Sequence, residues 1–354
     1  MERPVATAPE HEQAAPAVAT PSPRPHRIVR HRPPVRAWLQ PVVIALIVVA
    51  AFVTCYVGLQ RNPQPHQIPI AVTGSALPGE IGQALGDTVE VHPAASAQAA
   101  RDAVQHHDVD AAVVGGGPHR LRLEIAGAAG TSTTAAVKTL VGAYAHGAHK
   151  HVTIEDTVPL SHFDARGLAG FYMAFGVTLA GFVLGSNVLG LAGLLRLRHR
   201  FRVLGGASVA IGALAAIIAG PVMGSVPAPV APLIVTLAFL AAAASFTTKL
   251  LGTYFGPLGI PVATLLLLTV GNATSGATIG PDLLPGTARA VSALLPPGAA
   301  VRAVSDLSYF GGAHAVVPVL TLVAWTAGAG LLLGLHARLA RRRSAAAPAL
   351  SAPA

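Results

Sequence analysis

Charged residues are scarce in this chain of 354 residues: they make up 11% of it, against 52% hydrophobic residues. An ordinary soluble domain carries about 25% charged residues. Together with a mean hydropathy of +0.58, this composition indicates a membrane protein. The chain has one cysteine, Cys55, which excludes an intrachain disulfide and a metal site built from two thiolates.

Lysine and the common catalytic motifs are also missing. The only lysines are Lys138, Lys150 and Lys249, and no GxxxxGK[ST] loop occurs, so the chain has no Walker-type site for ATP. Neither a GxSxG nucleophile elbow nor an HExxH motif is present. We therefore expect neither an enzyme nor a bound cofactor or metal, and any ATP must be hydrolysed by another chain.

Long apolar runs are what the sequence does have. A membrane helix needs about 20 apolar residues to cross about 30 Å of hydrocarbon. Six segments approach or exceed that length without Asp, Glu, Lys or Arg, the fifth being the shortest: Trp38–Leu59, Leu168–Leu195, Val203–Met223, Val230–Thr248, Phe255–Gly271 and Ala313–Leu335. The first is too long for a signal peptide and follows a basic tail, so we interpret it as an uncleaved anchor.

Connections rich in basic residues alternate with connections poor in them along the chain. With six spans, one side of the membrane takes 15 of the 24 basic residues and three acids, and the other side takes nine basic residues and 12 acids. The positive-inside rule then places both termini in the cytoplasm. The net charge of +9 is explained by topology, and no motif accompanies it, so we expect no nucleic-acid partner.

Residues 60–165 have the pattern of a small extracytoplasmic α/β domain. Strands are predicted at Ile68–Thr73, Thr88–Val91, Ala111–Val114, Leu121–Ile125 and Val152–Val158, the third and fourth joined by the glycine turn Gly115–Gly117. Helices are predicted at Pro78–Leu85, Ser96–His107, with Ser96 as N-cap, and Thr131–His146. Such a domain is large enough for a modest core.

The predicted fold is therefore a polytopic α-helical membrane protein with six transmembrane helices and this α/β domain between the first and the second. A disordered basic cytoplasmic tail covers 1–37, the first span 38–59, a five-helix transmembrane domain 166–336, and a cytoplasmic tail 337–354. Residues 272–312 are broken by prolines into short pieces. They suit an interfacial or re-entrant outer hairpin, or alternatively an ordinary amphipathic surface loop.

Within the spans, small residues form the run Gly176-x-x-x-Ala180-Gly181-x-x-x-Gly185, followed by Asn187. Such runs permit close helix packing, either within the chain or at a subunit or substrate interface. Ser186 and His314 are candidates only in name for the serine and histidine of an intramembrane protease, and Ser186 more simply bonds its own helix backbone. The run His146-x-x-His149-x-His151 could face Zn²⁺ or Cu²⁺, but solvated surface histidines are the better interpretation.

The whole arrangement resembles the type-2 exporter class of ABC transporter permeases, most closely the phage-infection-protein (Pip)-like membrane proteins. The strand–helix–strand order of IPIAVTG and HHDVDAAVVGG and the stretch GPDLLPGTARAVSALLPPGAAVRAV before the last span carry the resemblance, which extends from Trp38 to His336. It implies a homo- or heterodimeric pore and a separate cytoplasmic ATPase subunit. One departure is that the stretch before the first span is broken by prolines, where the class has an amphipathic helix.

We therefore expect a permease-like subunit in a bacterial plasma membrane that moves a hydrophobic or amphipathic compound outward. Spans two and five and the outer hairpin would line the route, and the candidate structural or transport positions are Asn187, Leu284, Pro285, Pro296, Pro297 and Arg302. The alternative is a non-transporting membrane receptor or secretion accessory protein that acts through its extracytoplasmic domain. Besides the lipid bilayer, an ATPase chain and a second permease chain are the expected partners.

Overall fold

The computed structural model describes residues 35–191 and 194–346, and the chain divides into two compact units, Met1–Val42 and Val43–Ala354. Helix α1 comprises Val35–Gln60 and so begins three residues before the predicted first span. The predicted tail 1–37 otherwise lies outside the described residues. The tail predicted from residue 337 is helical as far as Ala346, because its Ala-, Leu- and Arg-rich sequence consists of good helix formers.

The α/β domain follows α1. Its strands are β1 (Ile68–Thr73), β2 (Val89–Ala94), β3 (Ala111–Gly115), β4 (Arg120–Ile125) and β5 (His151–Asp156), and its helices are α2 (Leu77–Leu85), α3 (Ala97–Gln105) and α4 (Thr131–Gly147). These are the predicted elements: β1 has the predicted bounds, and the ends of the others are shifted by at most three residues. Ser96 caps α3 as expected, because its hydroxyl accepts a hydrogen bond from the Ala99 N–H at 3.1 Å.

The five strands form one sheet in the order β2-β1-β3-β4-β5. Strand β1 is parallel to β2 and β3, β4 is antiparallel to β3, and β5 is parallel to β4. The β3–β4 hairpin confirms the predicted glycine turn. Helices α2 and α4 pack on one face of the sheet and α3 packs on the other.

The remaining helices are α5 (Ala169–Gly190), α6 (Leu197–Ile217), α7 (Val230–Phe255), α8 (Gly259–Ala263), α9 (Gly271–Ala273), α10 (Gly286–Leu294), α11 (Pro296–Tyr309) and α12 (Val316–Ala346). A π-helical turn, Ile218–Val222, extends α6, and a second π-helical stretch, Thr264–Val270, joins α8 to α9. Helix α7 packs against α5, α6, α11 and α12 and so forms the centre of the bundle.

Five helical stretches in the described chain are long and apolar enough to cross a membrane: Leu39–Gln60, Ala169–Gly190, Leu197–Val222, Val230–Ala273 and Val316–Arg343. The count differs from the six predicted because the fourth and fifth predicted spans fall in one helical stretch. That stretch is sharply bent: Gly256 has a φ of 56°, and a Cβ on Gly259 would collide with the backbone of Leu251 and Gly252. The chain is therefore a mostly helical, polytopic protein with a small α/β region.

The predicted outer hairpin is built into both parts of the molecule. Ile279, Leu283 and Leu284 complete the hydrophobic core between the sheet, α2 and α4. Helix α11 lies among α5, α7 and α12, and Phe310 at its end packs on the opposite face of the sheet beside α3. The segment thus joins the α/β domain to the helical bundle.

Candidate functional site

A groove of about 810 Å³ lies between α5 and α6. Its apolar walls come from both helices and from the π-helical turn that follows α6. The residues that shape it are Met173, Gly176, Val177 and Ala180 on α5 and Ile211, Leu214, Ala215, Ile218 and Ala219 on the other side. Its volume falls in the range of pockets that hold small organic ligands.

Small side chains make room for this groove. Gly176 and Ala180 lie four residues apart on α5, and Ala215 and Ala219 have the same spacing on the opposite wall, so each pair lies on one helix face. A Cβ on Gly176 would meet no atom within 4 Å. The groove is therefore open along α5, and a larger side chain at Gly176 would enter empty space.

The π-helical turn Ile218–Val222 lies at one end of the groove. It contains Pro221, which has no backbone N–H to donate to the helical hydrogen-bond pattern. Single π turns of this kind occur often at functional sites. Beyond it, Met223 and Ser225 also line the groove, so the irregular backbone brings one flexible apolar side chain and one hydroxyl to this end.

Charged groups lie only at that same end, which is the mouth of the groove. The carboxylate of Asp164 accepts hydrogen bonds from the backbone N–H groups of Leu168 and Ala169, both at 3.0 Å, and so caps the start of α5. Arg166, also in the lining, is exposed and forms no ion pair within the described chain. Ser161 Oγ donates to the Gly224 carbonyl at 3.1 Å, which ties this loop to the end of α6.

The groove is lined mainly by apolar side chains, with its charged groups gathered at the mouth. Its polar side chains are Asp164, whose carboxylate is held by backbone N–H groups, together with Arg166, Tyr172 and Ser225. The apolar surface between the two helices thus adjoins the guanidinium of Arg166 at the mouth.

The small-residue run predicted on α5 has two separate roles in the structure. Gly181 and Gly185 face α7, where a Cβ would collide with the backbone carbonyls of Ala241 and Ser245. Gly176 and Ala180 instead line the groove. Gly181 and Gly185 therefore pack within the chain, which is one of the two alternatives predicted from the sequence. Gly176 and Ala180 form an open surface instead.

Asn187 is exposed on α5, and its amide donates to the Val183 carbonyl at 2.9 Å on its own helix. It therefore lies outside the interior of this chain and outside the groove. Ser186 likewise donates to its own helix, at the Phe182 carbonyl, and His314 lies 3.1 Å from the carboxylate of Asp108. The structure thus gives Ser186 and His314 separate partners.

The hairpin residues singled out from the sequence are structural in position. Leu284 is fully buried in the α/β core, and Pro285 is exposed as the residue before α10. Pro296 and Pro297 are buried at the start of α11, a position that suits proline because the first backbone N–H groups of a helix have no partner within it. None of these three prolines or Leu284 lines the groove.

Arg302 on α11 binds the end of the preceding helix. Its guanidinium donates to Ser292 O at 3.2 Å, to Ser292 Oγ at 3.1 Å and to Ala293 O at 3.2 Å. A guanidinium that satisfies helix-terminal carbonyls in this way stabilises the α10–α11 corner. Its role in the structure is therefore to hold the corner that connects the α/β domain with the bundle.

The lining of a transport route by spans two and five and the outer hairpin stays a prediction, and the groove coincides with it only at span two. Span two, α5, does line the groove, but its opposite wall is α6 and its mouth is the loop before α5. Sequence reasoning missed Asp164 and the α6 wall. A signal was present in each case: Asp164 precedes an uncharged helix, and Ala215 and Ala219 repeat the spacing of Gly176 and Ala180.

The histidines of the α/β domain form no metal centre in the part of the chain that the structure describes, since no group of three or more His, Cys, Asp or Glu side chains there could hold an ion. His149 and His151 lie together with His119, whereas His146 is set apart on α4. No family model, curated protein or solved structure matches this chain.

Proposed function

We propose that this chain is the membrane subunit of an ABC-type exporter in a bacterial plasma membrane, that it moves a hydrophobic or amphipathic compound outward, and that a separate ATPase supplies the energy. The observation that carries the proposal is the α5–α6 groove, which combines apolar walls with a charged mouth. A compound with an apolar body and a polar end could enter it from the bilayer without leaving its polar end in hydrocarbon.

The proposal includes six membrane crossings with both termini in the cytoplasm. Tyr254 near the end of α7 lies beside His336 of α12, whereas Gly271, after the bend at Gly256, lies against Pro297 at the start of α11. The stretch Gly259–Ala273 therefore runs back along the bundle. It starts at the end where His336 lies and leads toward the start of α11, next to the segment that enters the α/β domain. This supports counting α7 and the return stretch as two spans.

The charge distribution supports the same orientation. Phe201 near the start of α6 packs with Phe246 of α7 and Gly330 of α12, so the basic clusters Arg196–Arg202 and Arg338–Arg343 belong to one end of the bundle. The α/β domain lies at the other end, because Ser161 and Gly224 meet there. The positive-inside rule assigns the basic end to the cytoplasm and the α/β domain to the outside.

A second function is favoured by a different observation. The α/β domain presents a hollow lined by three histidines and two basic residues, at a distance from the groove. A membrane protein that recognises a partner through this domain, without transport, would need such a surface and would not need the groove.

The two functions are separated by purifying the chain from its native membranes in mild detergent, identifying the chains that come with it, and assaying ATP hydrolysis. We expect a stoichiometric ATPase chain whose activity depends on this subunit. Two results together would contradict the exporter function: the preparation contains no ATPase, and the efflux of an amphipathic fluorescent dye from the cells does not depend on the chain. They would favour the receptor or accessory function.

The groove itself is tested with the variant Gly176→Leu, whose side chain would enter the open space between α5 and α6. We expect dye efflux to fall several-fold because the volume available to the apolar part of the dye shrinks. Gly190→Leu is the matched control, since Gly190 is also on α5 and also meets no atom within 4 Å, but lies at the opposite helix end. Equal efflux in both variants would contradict a route through the groove.

A further inference from the structure

The ends of the strands form two opposite edges of the sheet, and these two edges differ in chemistry. The amino end of β1 faces the segment from the bundle, since the His66 N–H donates to the Asp282 carbonyl at 2.8 Å, and the amino end of β3 lies beside it, since the Asp110 N–H donates to the Pro69 carbonyl of β1 at 2.9 Å. Because β4 is antiparallel to β3 and β5 is parallel to β4, the amino ends of β4 and β5 lie at the opposite edge. This opposite edge is called the distal edge below.

Strand pairing gathers three histidines at the distal edge. Arg120, the first residue of β4, pairs with His151, the first residue of β5, and the His151 N–H donates to the His119 carbonyl at 2.8 Å. His149 precedes β5 by two residues and has a φ of 54°. Residues other than glycine are uncommon in this left-handed region, and histidine is among those that tolerate it best.

His119, Arg120, His149, Lys150 and His151 together line an open hollow of about 490 Å³. No carboxylate is among the lining residues. The nearest acid in the network is Glu80 of α2, which accepts hydrogen bonds from Lys150 Nζ at 3.2 Å and from the Tyr144 hydroxyl at 2.8 Å. Glu80 therefore compensates the Lys150 charge.

The remaining lining groups have no such compensation. Arg120 forms no ion pair with any described residue, and the three imidazoles are exposed. Arg120 thus supplies one positive charge that no described carboxylate compensates, and histidine is in general the side chain whose charge changes between about pH 8 and pH 5.

We propose that the distal hollow binds an anion bearing phosphate groups, and that binding strengthens as the solution becomes mildly acidic. Arginine and protonated histidine donate charge-assisted hydrogen bonds that phosphate oxygens accept. The hollow is larger than one phosphate group and open at its rim, so it can take a free phosphate or one unit of a phosphate-containing polymer. The site does not depend on the transport function proposed above.

The test is isothermal titration of the purified full-length chain in detergent with inorganic phosphate and, separately, with short-chain polyphosphate. Both titrations are made at about pH 5.5 and about pH 7.5, which bracket the titration of ordinary imidazoles. We expect binding to be about ten-fold tighter at the lower pH, because each added surface charge contributes a few-fold. Binding of phosphate identifies a single-ion site, and binding of polyphosphate alone identifies a site for a polymer; either supports the proposal.

Two variants locate the binding. The triple variant His119→Gln/His149→Asn/His151→Gln should lose the pH dependence, and asparagine is used at residue 149 because it also tolerates positive φ. Arg120→Gln, a single exposed change, should weaken binding at both pH values even if the triple variant folds poorly. His92→Gln is the control, since His92 is exposed on β2 beside Glu90 and lies outside the hollow.

Three results would overturn the proposal. One is that neither anion binds to the wild-type chain at the lower pH. Another is that binding is unchanged in Arg120→Gln and in the triple variant. The third is that Zn²⁺ binds to the wild-type chain and not to the triple variant while neither anion binds, which would assign the three histidines to a metal.

Discussion

Gly280 lies directly against Thr133 of α4, so that a Cβ on Gly280 would collide with the Thr133 hydroxyl. The Gly280 N–H also donates to Ser132 Oγ at 3.0 Å. These contacts seat the segment before α10 on the α/β domain, directly beside the place where Leu283 and Leu284 enter its core. The connection between the two parts of the molecule thus depends on a residue without a side chain.

Gly280→Ala should therefore weaken the seating of this segment. We expect a loss of about 1–3 kcal/mol in the free energy of unfolding, as for other substitutions that overfill a packed site. Thermal unfolding of the purified chain in detergent measures it. Gly286→Ala is the matched control, because a Cβ there meets nothing within 4 Å, and adding Thr133→Ala to Gly280→Ala should restore part of the loss. Equal unfolding of the two glycine variants would show that the contact with Thr133 carries no strain.

Asp282, two residues after Gly280, makes the same connection sensitive to pH. Burial, together with the negative charge of Asp110, raises the pKa of Asp282 from 3.8 to about 6, although the Arg289 guanidinium at 3.4 Å acts in the opposite direction. His107 lies 3.6 Å from Asp110 on the other side of the pair. A carboxyl group whose pKa is raised by folding favours the folded state when it is protonated.

Acid should therefore strengthen this contact. The stabilising effect of the protonated Asp282 is fully present below about pH 3.8 and is lost as the pH rises through about 6. Asp282→Asn cannot ionise, so the melting temperature of the variant relative to wild type should rise between about pH 4 and pH 7. Asp87→Asn, at an exposed position, is the control. A difference between Asp282→Asn and wild type that does not change with pH would contradict the assignment.

A buried ion pair stabilises the sheet away from this connection. Glu124 on β4 is fully buried, and its two carboxylate oxygens accept hydrogen bonds from Arg101 of α3 at 3.1 Å and 3.0 Å. Glu124→Gln should cost about 1.5–3 kcal/mol in the free energy of unfolding, because the change removes the buried charge that pairs with Arg101 and, at 2.9 Å, with Arg122, and leaves Arg101 with the exposed Glu155 alone.

Glu155→Gln is the comparison that tests this prediction. Glu155 lies 2.7 Å from the same Arg101 but is 45% exposed, so its loss should cost less than about 1 kcal/mol. Chemical denaturation of both variants measures the difference. Similar losses would show that burial of Glu124 does not govern the strength of the pair.

The local elements of the α/β domain could be predicted from the sequence, because each carries its own signal. Strand β1 was delimited by its apolar run, α3 by the Ser96 cap and the β3–β4 hairpin by its glycines. The insertion of Leu284 into the same core could not be predicted, since it depends on a contact between segments far apart in the chain. The groove has the same origin: Gly176 and Ala215 form it only because α5 and α6 lie side by side.

Close packing of α5 on α7 should likewise depend on glycine. A Cβ on Gly185 would collide with the Ser245 carbonyl, whereas Gly190, five residues further along the same helix, meets nothing within 4 Å. Between membrane helices, small residues bring the backbones close enough for van der Waals contacts. Gly185→Ala should therefore separate the two helices and lower the melting temperature in detergent, with an energetic cost of about 1–3 kcal/mol, while Gly190→Ala should leave it unchanged or raise it slightly because alanine favours the helix. A lower melting temperature for Gly190→Ala than for Gly185→Ala would mean that α5 and α7 can move apart without loss of stability. The small residues on α5 would then serve the groove alone.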